Sequence, residues 1–282
     1  MKKIMLLLFA IVTLVSCVQE EKKANVRWAT FNLRLDTPAD SLNNWKYRKE
    51  RVAEFIQDMK LDVVGTQEVL QNQFYDLTSM LPDFKGVGVA RDDGKETGEY
   101  SSVFYRKSVF DELDSGTFWL AENPDSVGMK GWDAACVRVA TWAKLQHKAT
   151  GKTVMAINTH FDHVGEVARQ ESALLIIRKI KEIVGDQPAV LTGDFNVTDK
   201  SEAYNTIVSN EFVLLDAHKV ADKTAGVNYT YHAFARMDPE KCNKIDFVFV
   251  TPHIKVLHSE VTQEVKEALL SDHNPQWTEL EF

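Results

Sequence analysis

A short apolar segment that stops at a carboxylate and an amide is the feature that most constrains this sequence. Residues 189–192 are apolar or β-branched, and Gly193-Asp194-Phe195-Asn196 follows them directly. This pattern predicts a buried strand that ends in a turn. An Asp or Asn in such a turn most often satisfies only the local backbone. One occurrence therefore predicts a strand end, and not yet an activity.

The same arrangement recurs along the chain, and the repetition predicts a site. Strand-like segments end in, or are closely followed by, acidic, amide or imidazole side chains: Asn32, Glu68, His160, Asp194 with Asn196, Asp246, and Asp272 with His273. Strand ends are where α/β enzymes usually hold their chemistry. We therefore expect these side chains to converge at one end of the fold.

Strand-like and helix-like segments alternate, which indicates an α/β protein. Residues 26–33 and 61–68 have strand patterns, and residues 45–60 between them carry apolar side chains at helical spacing. A second helix is expected after residue 70. Residues 135–147 and 153–160 are separated by a short turn and predict an antiparallel hairpin, so the sheet should be mixed.

The second half continues the pattern with one long helix and several strands. Residues 166–184 form the clearest amphipathic segment, with Val167, Leu174, Ile177 and Val184 expected on its inner face. A shorter helix is expected near residues 201–208, and strands over 244–251 and 276–282.

Asp246 lies within the apolar segment at residues 244–251. Because an unpaired buried carboxylate is costly, this side chain requires a partner. The sequence therefore predicts a polar contact for Asp246 inside the fold.

The N-terminus has the pattern of an export signal. Lys2 and Lys3 precede a short apolar run, and Leu14-Val15-Ser16-Cys17 resembles the bacterial lipobox, in which the cysteine is lipidated. We expect residues 1–17 to be a lipoprotein signal peptide, residues 18–25 a tether and residues 26–282 one catalytic domain. The lipid on Cys17 would be the only contact with the membrane. Val18 after the cysteine favours the outer membrane, with the protein facing the periplasm or the cell surface.

The charge of the chain bears on its partners. Its formal net charge is -8, and loss of Lys2 and Lys3 with the signal peptide would change it to -10. Tight binding of long nucleic acids usually requires a basic surface, so this class of partner is not expected. A small phosphate ester remains compatible, because bound divalent cations supply local positive charge. A monomer is expected.

Two cysteines, Cys136 and Cys242, remain after the lipobox. In an oxidising compartment they could form a disulfide, and two buried free thiols are an equally good interpretation. Their spacing does not match a zinc or redox motif.

The recurring side chains share a chemical logic. Hard divalent cations prefer carboxylate and amide oxygens and keep several waters. Hydrolysis of a phosphate ester also requires an activated water and hydrogen-bond donors for the phosphate oxygens. Glu, Asp, Asn and His that converge from different strands supply all of these groups.

Six motifs in order resemble the endonuclease/exonuclease/phosphatase superfamily, whose fold is DNase I-like. They are Thr30-Phe31-Asn32, Gln67-Glu68, Asn158-Thr159-His160, Gly193-Asp194-Phe195-Asn196, Ile245-Asp246 and Ser271-Asp272-His273. The resemblance covers residues 27–282. It implies an α/β four-layer sandwich, in which two packed mixed β-sheets are flanked by helices and the site lies at one end.

The resemblance also implies roles for these residues. Glu68 would be the principal metal ligand, with Asn32 and Asp272 beside it, and the cation would be Mg²⁺ or Mn²⁺, with Ca²⁺ as a further option. Asp194 would orient or deprotonate the attacking water. Asp246 would assist that water or a second metal.

The remaining catalytic roles concern the phosphate. Asn196 would hold a phosphate oxygen, and His160 and His273 would contact the scissile phosphate from two sides. Asp272 would orient His273, whereas His160 would protonate the leaving group with Glu99 as its acidic partner.

Four residues are expected to bind substrate: Glu99, Trp132, Asp133 and His232. For Trp132 and Asp133 a second interpretation stays open, in which the tryptophan packs in the core and the aspartate caps a turn.

The sequence therefore predicts a divalent-metal-dependent phosphoesterase that acts outside the cytoplasm on a small or lipid-borne phosphate ester. The alternative is an extracellular or periplasmic nuclease. Val69 and Leu70 follow Glu68, where nucleases of this superfamily often have a basic residue. A catalytically inactive binding lipoprotein is the third hypothesis.

Overall fold

Two mixed β-sheets stack face to face at the centre of the protein. The structure is a computed structural model that describes residues 23–185, 187–209, 214–263 and 269–282. The predicted signal peptide and most of the tether lie outside the described residues, so their assignment stays a prediction.

The strands are β1 (Asn25–Asn32), β2 (Val63–Val69), β3 (Phe84–Val87), β4 (Tyr100–Arg106), β5 (Phe110–Trp119), β6 (Val139–His147), β7 (Thr153–His160), β8 (Ala189–Asp194), β9 (Leu215–Asp216), β10 (Thr224–Gly226), β11 (Asp246–Val250), β12 (Lys255–Val261) and β13 (Gln276–Glu281). The helices are α1 (Lys49–Asp58), α2 (Gln71–Met80), α3 (Glu166–Val184), α4 (Glu202–Ser209) and α5 (Ala217–Val220). Short 3-10 turns cover Pro38–Asn43, Trp45–Tyr47 and Pro239–Lys241.

The strand order confirms the predicted four-layer sandwich of two mixed sheets flanked by helices. The first sheet has the order β10-β12-β13-β1-β2-β4-β3, and the second has the order β5-β6-β7-β8-β11-β9. Separate hydrophobic clusters lie between the two sheets, between the first sheet and α1 with α2, and between the second sheet and α3 with α4. Burial of apolar surface on both faces of each sheet stabilises this layering.

The two sheets approach closely near the site because one position lacks a side chain. A Cβ atom on Gly65 in β2 would collide with Thr192 Oγ1 and with the amide of Asn158. The Asn158 amide donates to the carbonyl oxygens of Thr66 (2.9 Å) and Ser102 (3.0 Å) in the opposite sheet. These hydrogen bonds satisfy polar groups that would otherwise be buried without partners, and they join the sheets.

The long helix and the hairpin agree with the sequence patterns, with one correction. Strands β6 and β7 pair antiparallel, and α3 has the predicted bounds. The predicted inner face of α3 is wrong in part, because Val167 and Leu174 are exposed while Ala173, Leu175 and Ile176 are buried. Every helix within the described ranges is too short or too polar to cross a membrane.

Candidate active site

Strand register brings three of the predicted site residues side by side on the second sheet. His160 at the end of β7 pairs with Asp194 at the end of β8, and Asp194 pairs with Asp246 at the start of β11. Residues that pair directly across strands have side chains on the same face of the sheet. The pairing therefore explains how residues 86 positions apart along the chain form one group.

The first sheet contributes Asn32 and Glu68. Glu68 lies where the register of β2 and β4 shifts, and its φ of 58° is in the left-handed region. Such a bulge redirects the side chain of the residue that it contains. The Asn32 amide nitrogen donates to Glu68 Oε1 (3.1 Å) and to Asp194 Oδ2 (3.0 Å), so it connects the two carboxylates across the sheets.

Asp194 is the central carboxylate of the group. Its Oδ2 lies 3.6 Å from His160 Nε2 and 3.8 Å from His273 Nε2, and its Oδ1 accepts from the backbone N–H of Asn196. Burial, followed by the nearby charge of Asp246, raises the pKa of Asp194 to about 7. A carboxylate with this pKa is well matched to accept a proton near neutral pH.

His273 is held by Asp246. Its Nδ1 lies 2.8 Å from Asp246 Oδ2, which corrects the expectation that Asp272 orients this ring. Burial disfavours the charged ring, but the carboxylates of Asp246, Asp194 and Asp272 outweigh burial and raise the pKa of His273 to about 10. His273 is therefore an imidazolium at neutral pH.

His160, in contrast to His273, is uncharged at neutral pH. Its Nε2 accepts a hydrogen bond from the Asn196 amide nitrogen (3.0 Å). Burial, followed by the positive charges of Arg138 and Arg91, holds the pKa of His160 well below its usual value. The ring is thus neutral, which disfavours its predicted role as the acid that protonates the leaving group. Glu99, its predicted partner, lies 3.8 Å from Nδ1, too far for a hydrogen bond.

Glu68 and Asp272 both lie beside the guanidinium group of Arg34. Arg34 Nη1 lies 3.7 Å from Glu68 Oε2, and Arg34 Nε lies 3.9 Å from Asp272 Oδ2. Burial raises the pKa of Asp272, and the negative charge of Glu68 adds to this effect, while His273 and Arg34 oppose it. The two carboxylates therefore repel each other, and a positive charge between them lowers that repulsion.

Seven of the twelve predicted site residues line a cavity of about 500 Å³ at one end of the sandwich. Glu68, Glu99, His160, Asp194, Asn196, Asp272 and His273 all line it. Arg34, Arg91, Arg138, Tyr231 and Asn243 also line it and were not among the predicted site residues. Arg34 lies two positions after Asn32, so its place beside a predicted motif could have identified it as a site residue. Arg91 lies in a polar loop that contains none of the predicted motifs.

Three residues that were expected to bind substrate do not line this cavity. Asp133 Oδ1 accepts from the backbone N–H of Ala168 (2.7 Å), so Asp133 caps the start of α3. Trp132 packs against the core beside the second sheet. His232 is buried, and its Nδ1 accepts from the backbone of Ala235. These contacts agree with the second interpretation of Trp132 and Asp133, and substrate binding by either residue stays a prediction.

The two cysteines are free and partly exposed. Cys136 forms a cluster with Asp162 and His163, in which one ligand atom of each residue lies within 4.8 Å of the others. Backbone N–H groups of Cys136, Val164 and Gly165 already donate to the Asp162 carboxylate. This carboxylate organises the loop before α3, which leaves little capacity for a metal ion.

Sequence and structure comparisons place the chain among known proteins. The sequence profile described as "Endonuclease/Exonuclease/phosphatase family" matches residues 29–273. Nocturnin of Drosophila melanogaster is 24% identical over 246 residues, which cover 76% of this chain and 37% of the fly protein. The chain thus spans well under half the length of this relative.

Solved structures are similar over nearly the whole described chain. An endonuclease/exonuclease/phosphatase from Bacteroides vulgatus is 66% identical with a TM-score of 0.91, covering 92% of this chain and 99% of that one. A mannosyl-6-phosphatase from Bacteroides thetaiotaomicron is 38% identical with a TM-score of 0.85, covering 91% and 100% of the two chains. The catalytic domain of human nocturnin is 17% identical with a TM-score of 0.72, covering 93% and 96%, and shares the fold.

Proposed function

The chain belongs to the endonuclease/exonuclease/phosphatase family, and on that basis we propose that it hydrolyses small phosphate monoesters with the help of a divalent cation. The observation that carries the proposal is the position of Asp194. Its carboxylate lies between a neutral imidazole, His160, and a protonated one, His273, at the cavity. Paired groups whose pKa values are shifted apart are typical of acid–base sites.

The side chains of the site divide the chemistry between them. Asp194 accepts the proton of the attacking water, since its pKa of about 7 keeps much of it ionised at neutral pH. His273, which is protonated at neutral pH and has Nδ1 paired with Asp246, donates a hydrogen bond from Nε2 to a phosphate oxygen. Asp246 keeps the His273 ring oriented and charged.

The residues on the Glu68 side fit a divalent cation. Glu68 and Asp272 both place carboxylate oxygens beside Arg34, and such oxygens are the ligands that Mg²⁺, Mn²⁺ or Ca²⁺ prefer. When bound there, such a cation would polarise a phosphate oxygen and lower the pKa of a bound water. The Asn32 amide oxygen accepts from Arg34 N–H in this structure, so metal ligation by Asn32 stays a prediction.

The shape and lining of the cavity support a small substrate. Its volume of about 500 Å³ is in the lower half of the range for small-molecule sites, and most of the residues that line it are polar or charged. A lipid tail has few apolar side chains to contact there. The similarity to a mannosyl-6-phosphatase supports a phosphorylated sugar in particular.

Nuclease activity is the second candidate. It is supported by curated relatives such as the Ccr4 exoribonuclease subunit of Saccharomyces cerevisiae, which is 22% identical over 316 residues. The alignment covers 90% of this chain but only 37% of the yeast protein. The activity of the yeast protein is therefore weak support for the same activity in this chain. The acidic net charge also opposes binding of a polyanion.

We also propose that the enzyme works outside the cytoplasm as a lipid-anchored envelope protein. The lipobox-like sequence that ends at Cys17 supports this location. Anchoring through an N-terminal lipid would leave the cavity free to face the periplasm or the exterior.

The function is tested with the purified mature protein, on mannose 6-phosphate, p-nitrophenyl phosphate, bis-p-nitrophenyl phosphate and single-stranded RNA, with Mg²⁺, Mn²⁺ or EDTA. We expect phosphate release from the two monoesters that EDTA abolishes. Cleavage of RNA or of the diester at a higher kcat/KM would identify a nuclease instead. Turnover that persists in EDTA would contradict the metal requirement.

A further inference from the structure

One side of the cavity is lined by two guanidinium groups that share a carboxylate. Arg91 Nη1 donates to Glu99 Oε2 at 2.7 Å, and Arg138 Nη1 lies 3.9 Å from the same oxygen. We call Arg91, Glu99 and Arg138 the arginine flank. It lies on the Nδ1 side of His160, whereas Asp194 lies on the Nε2 side. The flank is therefore next to the proposed phosphate position and separate from it.

The positions of these side chains are fixed by the fold. The backbone of Arg91 pairs with Glu99, and its carbonyl oxygen accepts from Trp119 Nε1 at 2.7 Å. Arg138 directly precedes β6, is 5% exposed, and its Nη2 lies 3.1 Å from His163 Nδ1. A set of groups held in this way is pre-organised, which reduces the entropy lost on binding.

The flank is close to neutral in charge. Glu99 and Asp162 balance the two guanidinium groups, since Asp162 Oδ2 lies 3.6 Å from Arg138 Nε. A second phosphate or carboxylate of a substrate would meet two carboxylates as well as two cations. The charges therefore do not favour an additional anion here.

The flank instead offers unused hydrogen-bonding groups of both kinds. Arg91 Nε, Arg138 Nε and Arg138 Nη1 are buried and have no acceptor at hydrogen-bonding distance within the described ranges, whereas the Arg91 and Glu99 side chains are 13% and 16% exposed. Glu99 Oε1 likewise accepts no hydrogen bond from a described residue, and its oxygens are acceptors. A hydroxyl group is both a donor and an acceptor, so adjacent hydroxyl groups match an alternation of guanidinium and carboxylate.

We propose that the arginine flank binds the hydroxyl groups of a sugar or polyol that carries the scissile phosphate. This inference rests on the proposed phosphomonoesterase function and assigns the residues that recognise the sugar. Arg91 and Arg138 donate to hydroxyl oxygens, and Glu99 accepts from a neighbouring hydroxyl group. A substrate without hydroxyl groups leaves these donors without acceptors. A site built for hydrogen bonding hydrolyses such a substrate with a lower kcat/KM.

The test compares two substrates that differ in the leaving group. The mature protein and its Arg91→Gln and Arg138→Lys variants are assayed on mannose 6-phosphate and on p-nitrophenyl phosphate, which has no hydroxyl groups on its ring. Lysine keeps the charge at position 138 but loses the planar fork of donors. We expect kcat/KM for mannose 6-phosphate to fall about 10- to 100-fold more than kcat/KM for p-nitrophenyl phosphate in each variant, because any effect of the arginines on His160 lowers both rates together.

Arg178→Gln is the matched control, because Arg178 is exposed on α3 away from the cavity lining. It should leave both rates unchanged. Equal losses on both substrates would overturn the inference, since the arginines would then act on the phosphoryl group or on His160. Unchanged rates on mannose 6-phosphate, or a wild-type preference for hexose bisphosphates that depends on Arg91, would also overturn it. Failure of the wild type on every monoester would instead refute the proposed function itself.

Discussion

His273 Nδ1 lies 2.8 Å from Asp246 Oδ2, although the two residues are 27 positions apart and Asp272 is adjacent to His273 in sequence. Asp246 begins β11 beside Asp194, and His273 reaches it from the segment before β13. The pairing also supplies the partner that a carboxylate in an apolar strand requires, since Asp246 is 1% exposed. Asp246 therefore contributes most among the three nearby carboxylates to the raised pKa of His273.

Asp246→Asn should lower the pKa of His273. The folded pKa of about 10 lies above the ordinary value of 6.5, so protonation of His273 stabilises the fold below about pH 6.5. This contribution to the free energy of unfolding is lost as the pH rises from about 6.5 through 10. The Asp246→Asn variant should lose less stability over the same pH range. Imidazole NMR titration in EDTA measures the pKa. An unchanged His273 titration in the variant would refute the role of Asp246.

Asp194→Asn should abolish turnover with little effect on folding. The amide cannot accept the proton of the water, and general base catalysis contributes about 10²- to 10⁴-fold. Steady-state rates and thermal unfolding are measured together. Asp199→Asn serves as the control, because Asp199 is a partly exposed acid shortly after the same strand and pairs with Lys219. Residual activity of Asp194→Asn above one tenth of wild type would exclude the general-base role.

Glu68→Gln should weaken binding of a divalent cation at least about 10-fold, because an amide replaces a charged oxygen ligand. Calorimetric titration of the protein with Mn²⁺ gives the affinity independently of activity. Glu96→Gln is the control, since the Glu96 side chain lies on the exposed surface and, among the described residues, accepts hydrogen bonds only from Gln71 and Tyr75. Equal Mn²⁺ affinity in both variants would show that Glu68 is not a ligand.

Asn158→Ala should destabilise the protein by about 2–4 kcal/mol, since it removes a buried amide that joins the sheets. The lost contacts include hydrogen bonds from Gln67 Nε2 (2.7 Å) and Thr192 Oγ1 (3.0 Å) to the Asn158 side-chain oxygen. Urea unfolding gives the free energy of unfolding. Gln146→Ala, at the far end of the neighbouring strand, should cost less than about 0.5 kcal/mol. Similar values for the two variants would contradict the bridging role.

Cys17→Ser should prevent lipid attachment in the native host. Metabolic labelling with a fatty acid, followed by membrane fractionation, detects the change. Wild-type protein should carry the label and sediment with membranes, whereas the variant should lose the label. Label that remains on the variant would place the lipid elsewhere or exclude the lipobox interpretation.

Sequence patterns identified much of the fold. They failed for strands whose formation depends on tertiary contacts. The bounds of α3 are those that its amphipathic spacing predicts. Strand β5, at the edge of its sheet, was missed because Asp111, Glu112 and Asp114 make it polar. Strand β12 was missed for a related reason, since its residues alternate between buried and exposed less regularly around a shift in register.

The site residues divide in a similar way. Glu68, His160, Asp194 and His273 were found because each is a reactive side chain in a motif beside a strand. Arg91 lies in a loop whose sequence has no such mark, and only the fold brings it beside Glu99.

The sequence by itself determined the alternation of strands and helices and the chemical types at the strand ends, because both depend on local periodicity and side-chain chemistry. Only the tertiary structure decided which groups are partners and which are charged. Asp246 rather than Asp272 holds His273, and burial beside arginines keeps His160 neutral. Hydrogen-bond geometry and the pKa of a buried group depend on neighbours a few ångströms away in space, which the order of residues along the chain does not specify.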